Sequence, residues 1–219
     1  MFIKRSMRFI SNRGSRDSSK VFAIGFPRSA TTTMHNLFED IGFRARHLDR
    51  DLCEAISRGD YNFSSIENWD AFSDSPYPLI WKDLYYLYPS ARFILHTRPI
   101  GKWLKSIERL SVFNQTHGRW ADRPENTDMR GYLELLFGTP DFDEKVWSAS
   151  YERHTKLVTS HFANTNGEKF IHLEMSEEKN KENTRRVLDF LGLSSDGTQA
   201  VRMGVANKGG VDTIGPFES

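Results

Sequence analysis

Cysteine is almost missing from this chain: Cys53 is the only one in 219 residues. An internal disulfide is excluded, and a reducing, cytoplasmic location is the expectation. No run of about 18 apolar residues occurs, so no segment reads as a membrane span. Charge of one sign is also lacking, because 30 Lys and Arg against 29 Asp and Glu leave a net +1. That balance gives no overall pull toward nucleic acid or an acidic membrane. The seven histidines, at 35, 47, 96, 117, 154, 161 and 172, show neither HxH nor HExxH spacing and have no cysteine pair to join them, so no metal site is expected. Internal repeats and low-complexity blocks are absent too. What remains is 38% apolar residues at a mean hydropathy of −0.57, the profile of one soluble domain with a full core.

Residues 1–19 differ from the rest. Lys4, Arg5, Arg8, Arg13 and Arg16 sit among serines with no acid before Asp17. A secretory signal needs an apolar core of about 7 to 15 residues, and Phe9-Ile10 is too short. The stretch reads as a flexible basic arm, with an organelle transit peptide as the alternative, and residues 20–219 read as a single domain.

The most informative segment is Val21-Phe22-Ala23-Ile24-Gly25-Phe26-Pro27-Arg28-Ser29-Ala30-Thr31-Thr32-Thr33. An apolar run breaks at Gly25 and passes through Pro27. It then gives way to Met34, Leu37, Phe38 and Ile41 at helical spacing. Strand, tight loop, helix is the reading. Such a junction directs backbone N–H groups, the positive end of a helix dipole, Arg28 and several hydroxyls at one small volume, which suits a phosphate or sulfate. The nucleotide P-loop GxxxxGK[ST] fits poorly, because Ala30 replaces its second glycine and its lysine is missing. A helix start rich in Ser and Thr with no ligand is the plain alternative.

A second segment has matching chemistry. Arg92 to Thr97 form a short apolar run ending at Arg98, and Pro99 opens a helix through Trp103, Leu104, Ile107 and Leu110. Ser106 lies seven residues after Pro99, about two helical turns. It can therefore return to the face where Arg98 emerges and share a phosphate with it.

Pro27-Arg28-Ser29-Ala30-Thr31-Thr32 resembles the PKSGTT or PRSGTT loop of the sulfotransferases, with Ala30 where the family usually has glycine. Arg98 and Ser106 have the spacing of that family's 3′-phosphate site. The stretches Tyr88-Pro89-Ser90-Ala91-Arg92-Phe93-Ile94-Leu95, Trp103-Leu104-Lys105-Ser106, Lys169 to Glu174 and Val187 to Leu193 resemble further family segments, as do Tyr151, His154 and Val158. Asn207-Lys208-Gly209-Gly210 is similar to the family's RKG loop, with Asn207 in place of arginine.

The resemblance implies a P-loop-like α/β three-layer sandwich with a central parallel sheet flanked by helices. It also implies transfer of a sulfuryl group from 3′-phosphoadenylyl sulfate (PAPS) to an acceptor hydroxyl or amine. Adenosine 3′,5′-bisphosphate would be the product, and no metal is required. Arg28, Ser29, Ala30, Thr31, Thr32 and Thr33 would hold the phosphosulfate, and Arg98, Ser106, Lys208 and Gly209 the 3′-phosphate side. Arg28 would also meet the charge that develops on the leaving oxygen. In several branches the base is a carboxylate at the end of the second strand, in others a histidine. Here that position offers Asp49 first, then His47, then Asp51. A P-loop-type small-molecule kinase and a non-catalytic anion-binding protein are the alternatives.

Alternating elements support a parallel sheet between helical layers. Strands are expected at 21–25, 43–47, 78–81, 92–97 and 169–174, and helices at 31–41, 99–110, 142–163 and 179–191. In the third helix Trp147, Tyr151, His154, Val158 and Phe162 share a face, which makes His154 a packed core histidine, and Asp141 with Glu144 has capping-box spacing. The polar stretch 111–140 reads as an irregular lid over the acceptor. Tyr85, Tyr86, Tyr88, Trp103, Trp120 and Tyr132 are candidates to wall an apolar acceptor pocket or to fill the core. The partner expected is a small-molecule or glycan acceptor, with no nucleic acid.

Overall fold

A computed structural model describes residues 19–116, 127–165 and 167–193. Five parallel strands form one sheet in the order β2-β3-β1-β4-β5: β1 Val21–Ala23, β2 Ala45–His47, β3 Ala71–Ser73, β4 Arg92–Thr97 and β5 Phe170–Glu174. Among the described residues there are seven α-helices: α1 Thr31–Asp40, α2 Arg50–Ser57, α3 Tyr77–Leu87, α4 Ile100–Thr116, α5 Thr127–Phe137, α6 Glu144–Phe162 and α7 Asn180–Leu191.

Side chains alternate across the central strands, as a two-residue period demands. Val21, Ala23 and Ile94 face Met34, Leu37 and Phe38 of α1 and Val187 and Leu191 of α7. Phe22, Ile24, Phe93 and Leu95 face α3 and α6 through Tyr77, Ile80, Leu84, Val158 and Phe162. Both faces are covered, so β1 and β4 read as continuous apolar runs. The result is the three-layer α/β architecture with a central parallel sheet.

A third cluster lies beyond the C-terminal ends of the strands. Phe26, Cys53, Trp103, Ile107, Met129, Tyr132, Leu133, Phe137, Trp147 and Tyr151 pack there, joining α2, α4, α5 and α6. This corrects the expectation of an irregular stretch over 111–140 for its described residues; 117–126 lie outside them. α4 continues to Thr116, and α5 buries Met129, Tyr132, Leu133, Leu136 and Phe137. Trp103 and Tyr132 are fully buried, and Tyr88 is buried with its hydroxyl on Glu67. These three fill the core, whereas Tyr86 is 74% exposed; Trp120 lies outside the described residues.

Two further expectations change. Residues 78–81 are not a strand but the first turns of α3, and the third strand is instead β3, three residues long and paired between β2 and β1. A four-residue apolar run cannot be told from a buried helix turn by pattern alone. The cap of α6 is Asp143, which accepts the Val146 N–H, while Asp141 forms a two-pronged ion pair with Arg130.

Candidate functional site

Between β1 and α1 the chain turns through Gly25 to Ala30. Gly25 is required by crowding: a Cβ there would collide with the backbone carbonyl and ring of His96 on β4. Arg28 and Ala30 then adopt left-handed conformations, at φ 67° and 78°. In an L-residue this costs about 1 kcal/mol. Ala30 forms the N-cap of α1 without a side-chain cap, so the first N–H groups of the helix have no partner within it.

The loop's carbonyls are held from behind. His154 on α6 donates from Nε2 to the Ile24 carbonyl at 2.8 Å, and Trp103 on α4 donates from Nε1 to the Pro27 carbonyl at 2.8 Å. Arg98 Nη1 donates to the Arg28 carbonyl at 3.1 Å, and His96 Nδ1 to the Ser29 carbonyl at 2.9 Å. The Phe26 carbonyl accepts from the hydroxyl and the N–H of Ser29. With these acceptors turned into the protein, the loop presents donors. Donors grouped in this way suit an anion.

Burial drives both His96 and His154 down to a pKa of about 4, so both are neutral at pH 7. Each acts as a hydrogen-bonding prop rather than a charge. His154 also stacks on Phe26, with ring centroids 4.4 Å apart, which fits the packed core histidine expected from α6.

Arg98 leaves the end of β4 as the sequence spacing predicts. The Tyr151 hydroxyl brackets its backbone, accepting from Arg98 N at 2.8 Å and donating to its carbonyl at 3.0 Å. Ser106 returns from two turns along α4 and accepts a hydrogen bond from Arg28 Nε at 3.1 Å. Arg28, Arg98 and Ser106 are therefore one cluster. Burial, and then the Arg28 charge beside it, lower the Arg98 pKa. Two neighbouring guanidinium groups are what an oxyanion carrying more than one charge would offset.

The three base candidates separate sharply. Asp49 is 3% exposed. Its carboxylate accepts the Leu52 N–H as the N-cap of α2, with further contacts to Arg46 Nη2 and Ser65 Oγ at 3.4 Å each. Asp51 is exposed in the first turn of that helix, where it complements the dipole. His47 instead faces the loop: its Nε2 is 3.3 Å from Thr32 Oγ1 and 3.7 Å from Asp74 Oδ2. Leu48, at φ 51°, ends the extended path between His47 and Asp49 and sends the two apart.

Asp74 carries no role in the sequence reading. It follows a strand too short to show alternation, and its proximity to Thr31 and His47 comes from pairing β3 between β1 and β2. Among the described residues no group of three or more His, Cys, Asp or Glu side chains could hold a metal ion. No helix there is long and apolar enough to cross a membrane. Asn207, Lys208 and Gly209 lie outside the described residues, as do 1–18.

The sulfotransferase domain profile matches residues 20–181. The chain belongs to the sulfotransferase family. Its fold is similar to a crystal structure of a sulfotransferase from Alicyclobacillus acidocaldarius, with a TM-score of 0.50 at 12% identity over 81% of this chain and 82% of that one. No curated protein sequence matches this sulfotransferase.

Proposed function

We propose that this sulfotransferase moves a sulfuryl group from PAPS to a hydroxyl or amine of a small-molecule or glycan acceptor in the cytoplasm. The observation that carries the reading is the loop whose carbonyls at Ile24 and from Phe26 to Ser29 are drawn backwards, beside the paired Arg28 and Arg98. It fits a phosphosulfate together with a separate phosphate. The donor supplies an activated S–O bond to phosphate.

The protein's share is positioning and charge. Of the segment from Ser29 through Thr33, the backbone N–H groups from Ala30 on and the Thr32 and Thr33 hydroxyls would hold the phosphosulfate. Ser29 shapes the loop through the Phe26 carbonyl, and the Thr31 hydroxyl is given to Asp74. Arg28 would stabilise negative charge growing on the bridging oxygen, a preorganised term. Arg98 and Ser106 would hold the 3′-phosphate, joined by Lys208 and the Gly209 backbone. His47 would take the acceptor's proton: it lies at the loop's edge, half-buried and reachable, whereas Asp49 is committed to its helix. On this reading Asp49→Ala costs about 1 kcal/mol of stability, the worth of an N-cap.

Thermal melts with adenosine 3′,5′-bisphosphate, with ATP and Mg²⁺, and with buffer test the donor. At 100 times its dissociation constant, the right ligand stabilises by about 2.7 kcal/mol. A melting temperature raised by ATP and not by the bisphosphate would replace sulfuryl transfer with the kinase reading.

A further inference from the structure

Asp74 is the one carboxylate that reaches both halves of the site among the described residues. The chain leaves β3 at Ser73, and Asp74 takes a left-handed φ of 71°, a conformation Asp tolerates better than most residues. Its Oδ1 accepts the Ser75 N–H at 2.7 Å, which fixes the carboxylate. Its Oδ2 accepts the Thr31 hydroxyl at 2.7 Å and stands 3.7 Å from His47 Nε2. Thr31 begins the donor helix, and His47 ends the neighbouring strand β2.

The other acids nearby are occupied. Asp49 caps α2, Asp70 is bound to Arg44, and Glu39 pairs with His35 rather than His47. On its inner side Asp74 neighbours Cys53, Tyr77 and Tyr132, whose pKa values burial pushes well up, so all stay neutral. Among the described residues, His47 is the one basic side chain within 4 Å of the Asp74 carboxylate. Its charge is therefore left for a proton on the imidazole, over a floor of low polarity that screens little.

We propose that Asp74 is a positioning residue that holds His47 with its proton on Nε2, facing Asp74 and Thr32, and so leaves Nδ1 as the basic nitrogen. The consequence for rate rests on the sulfuryl-transfer reading; the pairing itself does not. In the step, the acceptor's O–H bond breaks and its proton moves to His47 Nδ1. The acceptor oxygen bonds to sulfur while the S–O bond to phosphate breaks, and that electron pair stays on the phosphate oxygen. Asp74 remains ionised and faces the imidazolium, which later returns its proton to water. No oxidation or reduction is involved. The logic is that of a carboxylate setting a histidine's tautomer and offsetting the charge it acquires.

The groups facing His47 are Asp74, Thr32 and His35 of α1, the latter paired with Glu39, and the more distant His96 of β4. The adjoining Arg46 of β2 is turned to Asp49 and Trp69. Asp74→Asn removes the charge and one of the two acceptor oxygens: with its carbonyl kept on the Ser75 N–H, the amide NH2 faces Thr31 and His47 Nε2. In the ligand-free full chain, ¹⁵N shifts should place the His47 proton on Nε2, and in Asp74→Asn they should show that proton moving toward Nδ1, with His35 changing less. In turnover with PAPS and a weakly acidic phenol, kcat should fall at least about 100-fold, while donor KM changes less than about threefold. Asp74→Glu should restore part of the rate. An unchanged His47 tautomer in Asp74→Asn overturns the proposal. Should that variant not fold, ¹⁵N shifts of His47 in the unaltered chain decide: a proton on Nε2 supports the pairing, and a proton on Nδ1 overturns it. Failure of the bisphosphate to bind, with the His47 shift present, removes the sulfuryl-transfer reading and leaves the pairing standing.

Discussion

The donor loop and the corner where β2 and β3 end are neighbours built in opposite ways. In the loop, carbonyl after carbonyl is tied to a side chain from β4, α4 or α6, and the props His96 and His154 are buried and neutral. In the corner, the side chains of His47 and Asp74 are 23% and 14% exposed, and they meet at 3.7 Å rather than in a short hydrogen bond. A site for a fixed anion gains from rigidity, because its donors need no reorganisation when charge develops. A group that must accept a proton from an arriving molecule has to stay reachable, so it cannot be sealed in the same way.

The largest expected effect strikes the loop's charge. Arg28→Ala should lower kcat by about 100- to 1,000-fold with a smaller loss of donor affinity, since the interaction strengthens in the transition state. Single-turnover rates and bisphosphate titrations separate the two. Equal losses would make Arg28 a binding group only and erase the distinction between loop and corner.

Next comes Arg98→Ala. Binding of adenosine 3′,5′-bisphosphate, read by calorimetry, should weaken by about 1.5 to 3 kcal/mol. Adenosine 5′-phosphosulfate, which lacks the 3′-phosphate, should lose far less. The same loss for both would place Arg98 elsewhere on the donor.

The buried props should also leave a mark on stability against pH. His96 and His154 have pKa values near 4 when folded, against 6.5 as the ordinary value. Between those values the unfolded chain binds more protons, so stability falls as pH drops through that window, by about 1.4 kcal/mol per pH unit for each histidine. Above about 6.5 the contribution is complete. Denaturant unfolding of His154→Gln from pH 7.5 to 4.5 should show a slope smaller by about one proton. An unaltered slope would mean that His154 is charged or exposed, and the sealed loop would not exist.

The smallest effect is at Ala30. Removing its methyl relieves the left-handed strain but frees the unfolded chain, so Ala30→Gly should stabilise by about 0.5 kcal/mol. A clear loss of stability in denaturant would show that the methyl packs usefully against the core.

Local pattern carried the strongest parts of this protein. The run from Val21 to Thr33 places a strand, a turn at Gly25 and a helix start within thirteen residues, and β4 and α1 lie close to their predicted bounds. The spacing of Arg98 and Ser106 brought both to Arg28, because a strand end and two helical turns are geometry that sequence encodes directly. The expectations that changed are local ambiguities. Pro78-Leu79-Ile80-Trp81 suits a strand or a helix, and β3 becomes a strand only by hydrogen bonding to β1 and β2. Within 127–137, Met129, Tyr132, Leu133 and Leu136 are helically spaced but embedded in a polar surround, and they show their role only against α2 and α6.

By itself, then, the sequence determined the architecture and the loop with its Arg28, Arg98 and Ser106 cluster, since both rest on periodicity, turn chemistry and short spacings. Which groups face one another across the sheet was decided by tertiary structure alone. Asp49 and His47 are two residues apart, yet a left-handed Leu48 sends one into a helix cap and the other to Thr32. Asp74 is 27 residues from His47 in the chain and within 4 Å of it because β3 lies beside β2. Strand order is a property of the whole packed core, and no local pattern records it.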